Sequence, residues 1–209
     1  MAWRPDYITS TELKNYVRIG DDQDDVEVGL AITAASRAID RACGRQFGKV
    51  DSAVVRYYTA YTHPVLLRNV VDIDDLYSVT GLEVDVDSDG DETYATALDI
   101  FTVQPLNAAA DGKPWSRIAV GPSATVSMPT TADAVRVSGL FGWSAVPGPI
   151  KQATLLQASR FLSRRNSPYG VAGSPENGSE LRLLAKVDPD VEVALADFKR
   201  SDGPKDWFA

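Results

Sequence analysis

The sequence predicts an α+β chain: a small helical bundle of N- and C-terminal helices with an antiparallel β domain inserted between them. Three observations carry this reading. Apolar residues recur every three or four positions through residues 25–43, alternate with period two in several runs between 51 and 142, and return to helical spacing after Pro147-Gly148-Pro149. The chain therefore divides into residues 1–50, an N-terminal helical part; 51–142, the inserted β domain; 143–200, a C-terminal helical part; and 201–209, a polar tail ending in aromatic residues.

Thr9-Ser10-Thr11-Glu12 has the form of a capping box, in which the Thr9 hydroxyl accepts from the Glu12 amide and the Glu12 carboxylate from the Thr9 amide. A short helix over 10–17 follows, with Gly20 as its stop. The run Asp21-Asp22-Gln23-Asp24-Asp25 then sets carboxylates at the start of a second helix, where the macrodipole favours negative charge. That helix, 25–43, presents Val28, Ile32, Ala35, Ile39 and Ala42 as one buried stripe and ends at Gly44. Cys43 is read as a small packing residue. Arg37, Arg41 and Arg45 lie four apart on one face around Asp40, a solvated or subunit-facing edge.

Strand-like segments at 53–61, 65–70, 79–86, 94–101, 117–121, 125–128 and 134–141 are rich in β-branched and aromatic residues and separated by turn residues. The third helix spans 150–165 behind Pro149, burying Ala153, Leu156 and Phe161 or their neighbours. A Ser/Pro/Gly-rich loop occupies 166–178 and a short helix 179–186. A last helix begins at Asp188-Pro189, with Asp as N-cap and Pro as first residue, and carries Val191, Leu195 and Phe198 at helical spacing.

Composition narrows the chemistry. One Cys and one His among 209 residues exclude a disulfide-stapled scaffold and a multi-His zinc site. With 21 Lys+Arg against 29 Asp+Glu, the balance argues against a protein that coats nucleic acid, though not against one that DNA passes through. Residues 1–50 hold 7 basic and 8 acidic residues, 51–142 hold 5 and 13, and 143–209 hold 9 and 8, so the excess acidity belongs to the β domain. No apolar run approaches the roughly 18 residues of a membrane span. The opening MAWRPDYITS lacks the apolar stretch of a secretory signal, so the expected location is the cytoplasm of the producing cell.

No phosphate-binding glycine loop and no nucleophile-elbow motif occurs, and His63, beside Pro64, reads as a turn residue. Asp85-Val86-Asp87-Ser88-Asp89-Gly90-Asp91-Glu92 matches the first half of a calcium loop, with carboxylates at Asp85, Asp87 and Asp89 and a further one at Asp91. Position 12 is Thr96 where a bidentate Glu is required, and the alternative is a β-hairpin tip. Asp72, Asp74 and Asp75 leave a carboxylate-dependent hydrolase open by residue count alone. In the tail, Trp207 and Phe208 behind Gly203-Pro204 either fold back on their own domain or anchor in a partner.

Thr9-x-x-Glu12-Leu13-Lys14-x-Tyr16-x-Arg18-Ile19, then the Asp-rich turn and the Ala-rich helix ending Ala42-Cys43-Gly44-Arg45-Gln46-Phe47, resembles the head-tail connector proteins of long-tailed double-stranded DNA phages, also termed head-to-tail adaptors or head-completion proteins. The stretch from Phe141-Gly142-Trp143 to Gln152-Ala153 has the same look. Arg164-Arg165-Asn166-Ser167-Pro168-Tyr169-Gly170 together with 181–199 is similar to the longer adaptors of phages infecting actinobacteria. The resemblance covers both helical parts, about half the chain; the large β insertion departs from the small members of the family.

The resemblance implies a non-enzymatic virion protein of the head-tail interface, with no cofactor or metal, assembled in the host cytoplasm. It implies a homo-oligomeric ring, commonly of twelve subunits, bound beneath the portal protein and meeting a stopper or tail-terminator protein, with genomic double-stranded DNA passing through without specific binding. In that frame Lys205, Trp207 and Phe208 are the portal anchor and Arg37, Arg41 and Arg45 a subunit contact. The competing reading is a peripheral virion or surface module binding a glycan or protein through the β domain, with Tyr57, Tyr58, Tyr61, Trp115 and Trp143 as its aromatic candidates.

Overall fold

The structure is a computed structural model that describes residues 4–20, 22–165, 171–172, 181–182 and 189–200. It has the predicted α+β class, with four helices and a seven-stranded antiparallel sheet. The chain divides into two compact units: Gly48–Ala145, and Arg4–Phe47 joined with the chain from Val146 onward.

The helical unit contains α1 (Ser10–Val17), α2 (Asp25–Cys43), α3 (Gly148–Arg165) and α4 (Pro189–Leu195), the last continued by a 3-10 turn, Ala196–Phe198. The Thr9/Glu12 capping box forms in both directions and starts α1. Arg18, with φ of 60°, takes the left-handed position that ends α1, two residues before the expected Gly20. Gly44, with φ of 63°, caps α2 as its sequence indicates. The buried stripe of α2 is Val28, Ala31, Ile32, Ala35, Ser36, Ile39 and Cys43, so the seam closes on Cys43 and not on Ala42.

Ile8, Leu13, Val28, Ile32, Ala35 and Ala158 form one core, flanked by Val17, Leu155, Phe161 and Leu162. On α3 the residues packed inward are Ile150, Ala153, Thr154, Gln157 and Ala158, with Leu156 only half-buried. The segment before α1 is bound to α2. Arg37 donates to the main-chain carbonyls of Arg4 and Pro5, the Tyr7 amide donates to Ser36, and the Tyr7 hydroxyl donates to Asp40 while accepting the Phe47 amide. Burial and the Asp40 hydrogen bond raise the Tyr7 pKa well above the ordinary phenol value, so the hydroxyl stays a donor. Val191 and Leu195 of α4 are buried, and the Phe198 ring meets Phe47 edge-on.

Two expectations for this half change: Val171–Ala172, expected within a loop over 166–178, pairs as a strand with Leu181–Arg182, where a helix over 179–186 was expected. The rest of those segments, the Asp188 cap and the 201–209 tail lie outside the described residues.

The β unit is built around one strand. Its strands are β1 (Val54–Tyr58), β2 (Tyr61–His63), β3 (Arg68–Val86), β4 (Thr96–Ala97), β5 (Phe101–Gln104), β6 (Trp115–Val120) and β7 (Val135–Phe141). The first part of β3 pairs with β2 and β6, and its last part with β7 and β4. Between Asp72 and Leu76, two residues more are spent on β3 than on β6, and between Ser78 and Glu83 three more than on β7, with Gly81 at φ of 68°. Such bulges bend a strand and increase its twist. Val71 and Ile73 from one part thereby share a single core with Val84 and Val86 from the other, joined by Leu76, Ile118, Met128, Val135, Val137 and Phe141.

The strands expected at 65–70 and 79–86 are parts of one strand, β3, which begins only at Arg68 because 64–67 form a turn. Asp72-Ile73-Asp74-Asp75 resembles a turn in composition, but Asp72 and Asp74 point outward and are met by cations from neighbouring strands. Arg117 Nε lies 2.6 Å from Asp72, which also accepts from Tyr61, while Asp74 accepts from Arg56 and Tyr58. Residues 125–128 form no strand, because Asp99 recruits their backbone: it accepts from the Thr125 amide at 3.0 Å, the Thr125 hydroxyl at 2.8 Å and the Val126 amide.

At the bulge, Asp75 is buried and accepts the Trp143 indole N–H at 2.8 Å, while its main-chain carbonyl accepts the Gly142 amide. Gly142 has φ of 120°, and a Cβ there would sit 2.1 Å from the Gly48 carbonyl oxygen. Trp143→Phe keeps the aromatic bulk and removes a charge-assisted hydrogen bond, so a loss of about 1.5–3 kcal/mol is expected in urea unfolding. The three Thr125 and Val126 donors, the Thr125 amide foremost, lower the Asp99 pKa to about 2. Its contribution is present above about pH 4, the unfolded value, and is lost as pH falls towards 2. Asp99→Asn is therefore expected to melt lower than wild type at pH 7, with the difference shrinking between pH 4 and pH 2 in thermal scans.

Candidate functional site

The Asp-rich segment connects β3 to β4, with Val86 paired to Thr96, so residues 87–95 are the tip of a β-hairpin. Asp87 organises it, accepting the Gly90 amide at 2.8 Å on one oxygen and the Glu92 amide at 3.0 Å on the other. Desolvation pushes the Asp87 pKa up, but these amides outweigh it and hold the carboxyl below its ordinary value. Asp89 is raised, chiefly by the neighbouring charge of Asp91. Carboxylate oxygens of Asp87, Asp89 and Asp91 lie within 4.8 Å of one another. Asp85 is not among them: it sits on the strand, where Arg136 binds it at 2.8 Å, so the calcium-like spacing does not survive folding.

Arg37 and Arg41 of α2 and Arg45 just beyond its cap separate. Arg37 is engaged by its own chain through Arg4, Pro5, Tyr7 and Asp40 and is no freely solvated edge; Arg41 is exposed, and Arg45 is half-buried. Lys205, Trp207 and Phe208 fall outside the described residues. Cys43 is buried, and burial pushes its thiol pKa up to about 11, so it carries no thiolate chemistry at neutral pH.

Of the acidic trio, Asp72 and Asp74 are bound on the outer face by Arg and Tyr, and Asp75 faces the interior. They do not converge on a common point. The aromatic candidates likewise disperse. Tyr58 and Tyr61 donate their hydroxyls to Asp74 and Asp72, Tyr57 lies against Tyr94 with ring centroids 5.1 Å apart and planes tilted by 51°, and Trp115 and Trp143 share a concavity.

That concavity is a cleft of about 170 Å³ lined by Tyr77, Ala109, Gly112, Lys113, Pro114, Trp115, Trp143 and Ser144. The Trp143 wall is fixed by the Asp75 hydrogen bond, and the Tyr77 hydroxyl donates to the Val50 carbonyl at 3.1 Å. Lys49 stands 5.5 Å over the Tyr77 ring.

A second feature, not foreseen from sequence, lies at the β2–β3 turn. Val65, Leu66 and Leu67 are three consecutive exposed apolar residues, with Val65 69% and Leu67 81% exposed. His63 holds the turn: its Nδ1 accepts the amides of Val65 at 3.2 Å and Leu66 at 3.1 Å, and its carbonyl accepts the Leu67 amide at 2.9 Å. Leu67 has φ of 51°, a left-handed conformation costing about 1–2 kcal/mol for a residue with a Cβ. The available signal was the run Pro64-Val65-Leu66-Leu67 beside the single His, which reads equally well as a strand start.

The fold is that of an α+β protein. Across 90% of this chain and 97% of the other, the fold is similar, with a TM-score of 0.52 and 20% identity, to a chain in a structure described as the neck of an empty GTA particle computed with C6 symmetry. A chain from the virion of a native gene transfer agent (GTA) particle is also similar, at 20% identity with a TM-score of 0.47, over 87% of this chain and 94% of that one. No protein-family model matches the chain, and no curated protein matches it in sequence. Among the described residues no helix is long and apolar enough to cross a membrane.

Because Arg136 takes Asp85 out of the cluster and Thr96 stands where a bidentate Glu is required, millimolar calcium is expected to leave the melting temperature unchanged in differential scanning fluorimetry.

Proposed function

We propose that this chain is a structural virion protein of the head-tail neck, an adaptor that forms a homo-oligomeric ring beneath the portal and joins the capsid to a stopper or tail-terminator protein. The observation that carries the reading is the likeness in fold, over nearly the whole of both chains, to a protein of a neck. The sequence resemblance of both helical parts to head-tail connectors points the same way. In this reading residues 1–50 and 143–200 are the connector core, 51–142 an inserted domain, and 201–209 a tail whose Lys205, Trp207 and Phe208 anchor in the portal. Twelve copies per ring and a long-tailed particle are the version that the sequence resemblance favours. The chain acts in the virion and is assembled in the host cytoplasm.

Such a part works by geometry and charge. It must hold neighbouring rings while DNA moves through during ejection without adhering. Adhesion to DNA rests on Lys and Arg neutralising phosphates. Here Arg56, Arg117 and Arg136 are engaged with Asp74, Asp72 and Asp85, and the hairpin tip adds Asp87, Asp89, Asp91 and Glu92, so the β unit offers DNA little to hold. On α2, Arg41 is the arginine best placed for a subunit contact, since Arg37 is occupied within its own chain. The glycan-module reading draws less support, because Tyr58 and Tyr61 are tied to carboxylates.

Electron microscopy of purified particles is expected to place this chain as a ring between portal and tail; its location on the capsid exterior instead would sink the proposal. Deleting residues 207–209 is expected to weaken portal attachment, read as particles lacking tails, and full assembly would remove the anchor assignment.

A further inference from the structure

We infer that the apolar turn 64–67 of one copy inserts into the Tyr77/Trp115/Trp143 cleft of the next copy, making a head-to-tail contact between β units; the inference rests on the ring reading above.

The turn is built as a prong. Three adjacent exposed apolar residues in an acidic domain are a liability unless a partner covers them. The backbone is held in a costly shape to present them, with Leu67 left-handed and His63 accepting two amides at its base. Strain retained at a surface turn is a mark of function.

The receiving site is on the same unit. A cavity of about 150 Å³ admits a six-carbon ring, so the cleft of about 170 Å³ has room for one leucine side chain between Tyr77 and the two tryptophans. Prong and cleft lie at opposite ends of the β3–β6 pair. Val70 near the prong pairs with Ala119, whereas Leu76, beside Tyr77, pairs with Trp115. The nine steps from Arg68 to Tyr77 span about 30 Å at most. A patch that fits a pocket elsewhere on the same molecule gives a heterologous contact, which generates a ring when the rotation closes.

Charge permits a second copy at this junction even though the rest of the unit opposes one. Residues 48–145 carry thirteen acidic and six basic residues, so two such units repel over most of their surface. Arg68 beside the prong and Lys113 in the cleft wall make no ion pair among the described residues, while Asp111 lies in the segment lining the cleft. A junction of prong and cleft would bring Arg68 of one copy to the cleft segment that carries Asp111 in the next, an opposite pair in place of the like charges met over most of the surface.

The test uses assembled particles carrying the double variant Leu67→Cys/Ala109→Cys. Cys43 is buried, so oxidation should give a disulfide-linked ladder of chains under denaturing conditions, absent from either single variant. Ring density in those particles without a ladder overturns this contact and leaves the ring standing; absence of ring density overturns both. In solution, Leu67→Asp and Ala109→Trp should each weaken self-association at least tenfold in sedimentation, and their mixture should recover a 1:1 pair through its one intact junction. Leu67→Gly, which relieves the left-handed residue, should keep or raise the melting temperature while losing association to the same extent. Self-association unchanged in all three overturns the proposal.

Discussion

The bend in β3 is the constraint on which the β unit depends. A strand of nineteen residues cannot keep one apolar face on a single small core while running straight. Two bulges resolve this by turning the strand over its own core, so that Val71 and Ile73 pack with Val84 and Val86. The first bulge brings Asp75 inside, which is tolerable because the Trp143 indole donates to it. That one hydrogen bond thus ties the strand's change of direction to the chain segment following β7, and Gly142 admits the close approach that makes it possible.

Function-bearing surfaces follow from the same geometry. The prong precedes the first residue of β3 and the cleft is walled by Tyr77, just past its first bulge, so a single strand fixes their separation. On the outer face, Asp72 and Asp74 are met by cations and phenols, which removes the local cost of carboxylates on adjacent outward positions. The domain's acidity is consequently concentrated in its loops, above all at the 87–92 hairpin tip, and not spread over the sheet.

Much of the helical half was legible. The Thr9/Glu12 box and the Gly44 cap are local arrangements that a sequence spells out directly and form as read, and the α2 seam follows its expected stripe except that it closes on Cys43 in place of Ala42. What escaped was non-local. Arg18 took the left-handed cap because Lys14, one turn back, offers its carbonyl to the amides of both Arg18 and Ile19, a detail that Gly20 obscured. Asp72, Asp74 and Asp75 stood as a set of carboxylates open to hydrolase chemistry because their partners, Arg117, Arg56 and Trp143, are remote in sequence. Asp85 looked like a metal ligand until Arg136, 51 residues away, claimed it. The prong was unreadable for a similar reason: exposed and buried apolar runs are written in the same letters, and only the fold distinguishes Val65-Leu66-Leu67 from a strand.

The strained turn also bears on the fate of a chain that has not yet found its place. Such a chain carries exposed leucine into water while its acidic surface holds other copies off over roughly 10 Å in 0.1 M salt. That repulsion grows as copies approach, whereas the apolar turn gains only at contact, where its burial has to exceed it. An encounter in any other orientation meets the repulsion without the offsetting burial, so the difference in reach between the two forces favours the aligned pair over the random one.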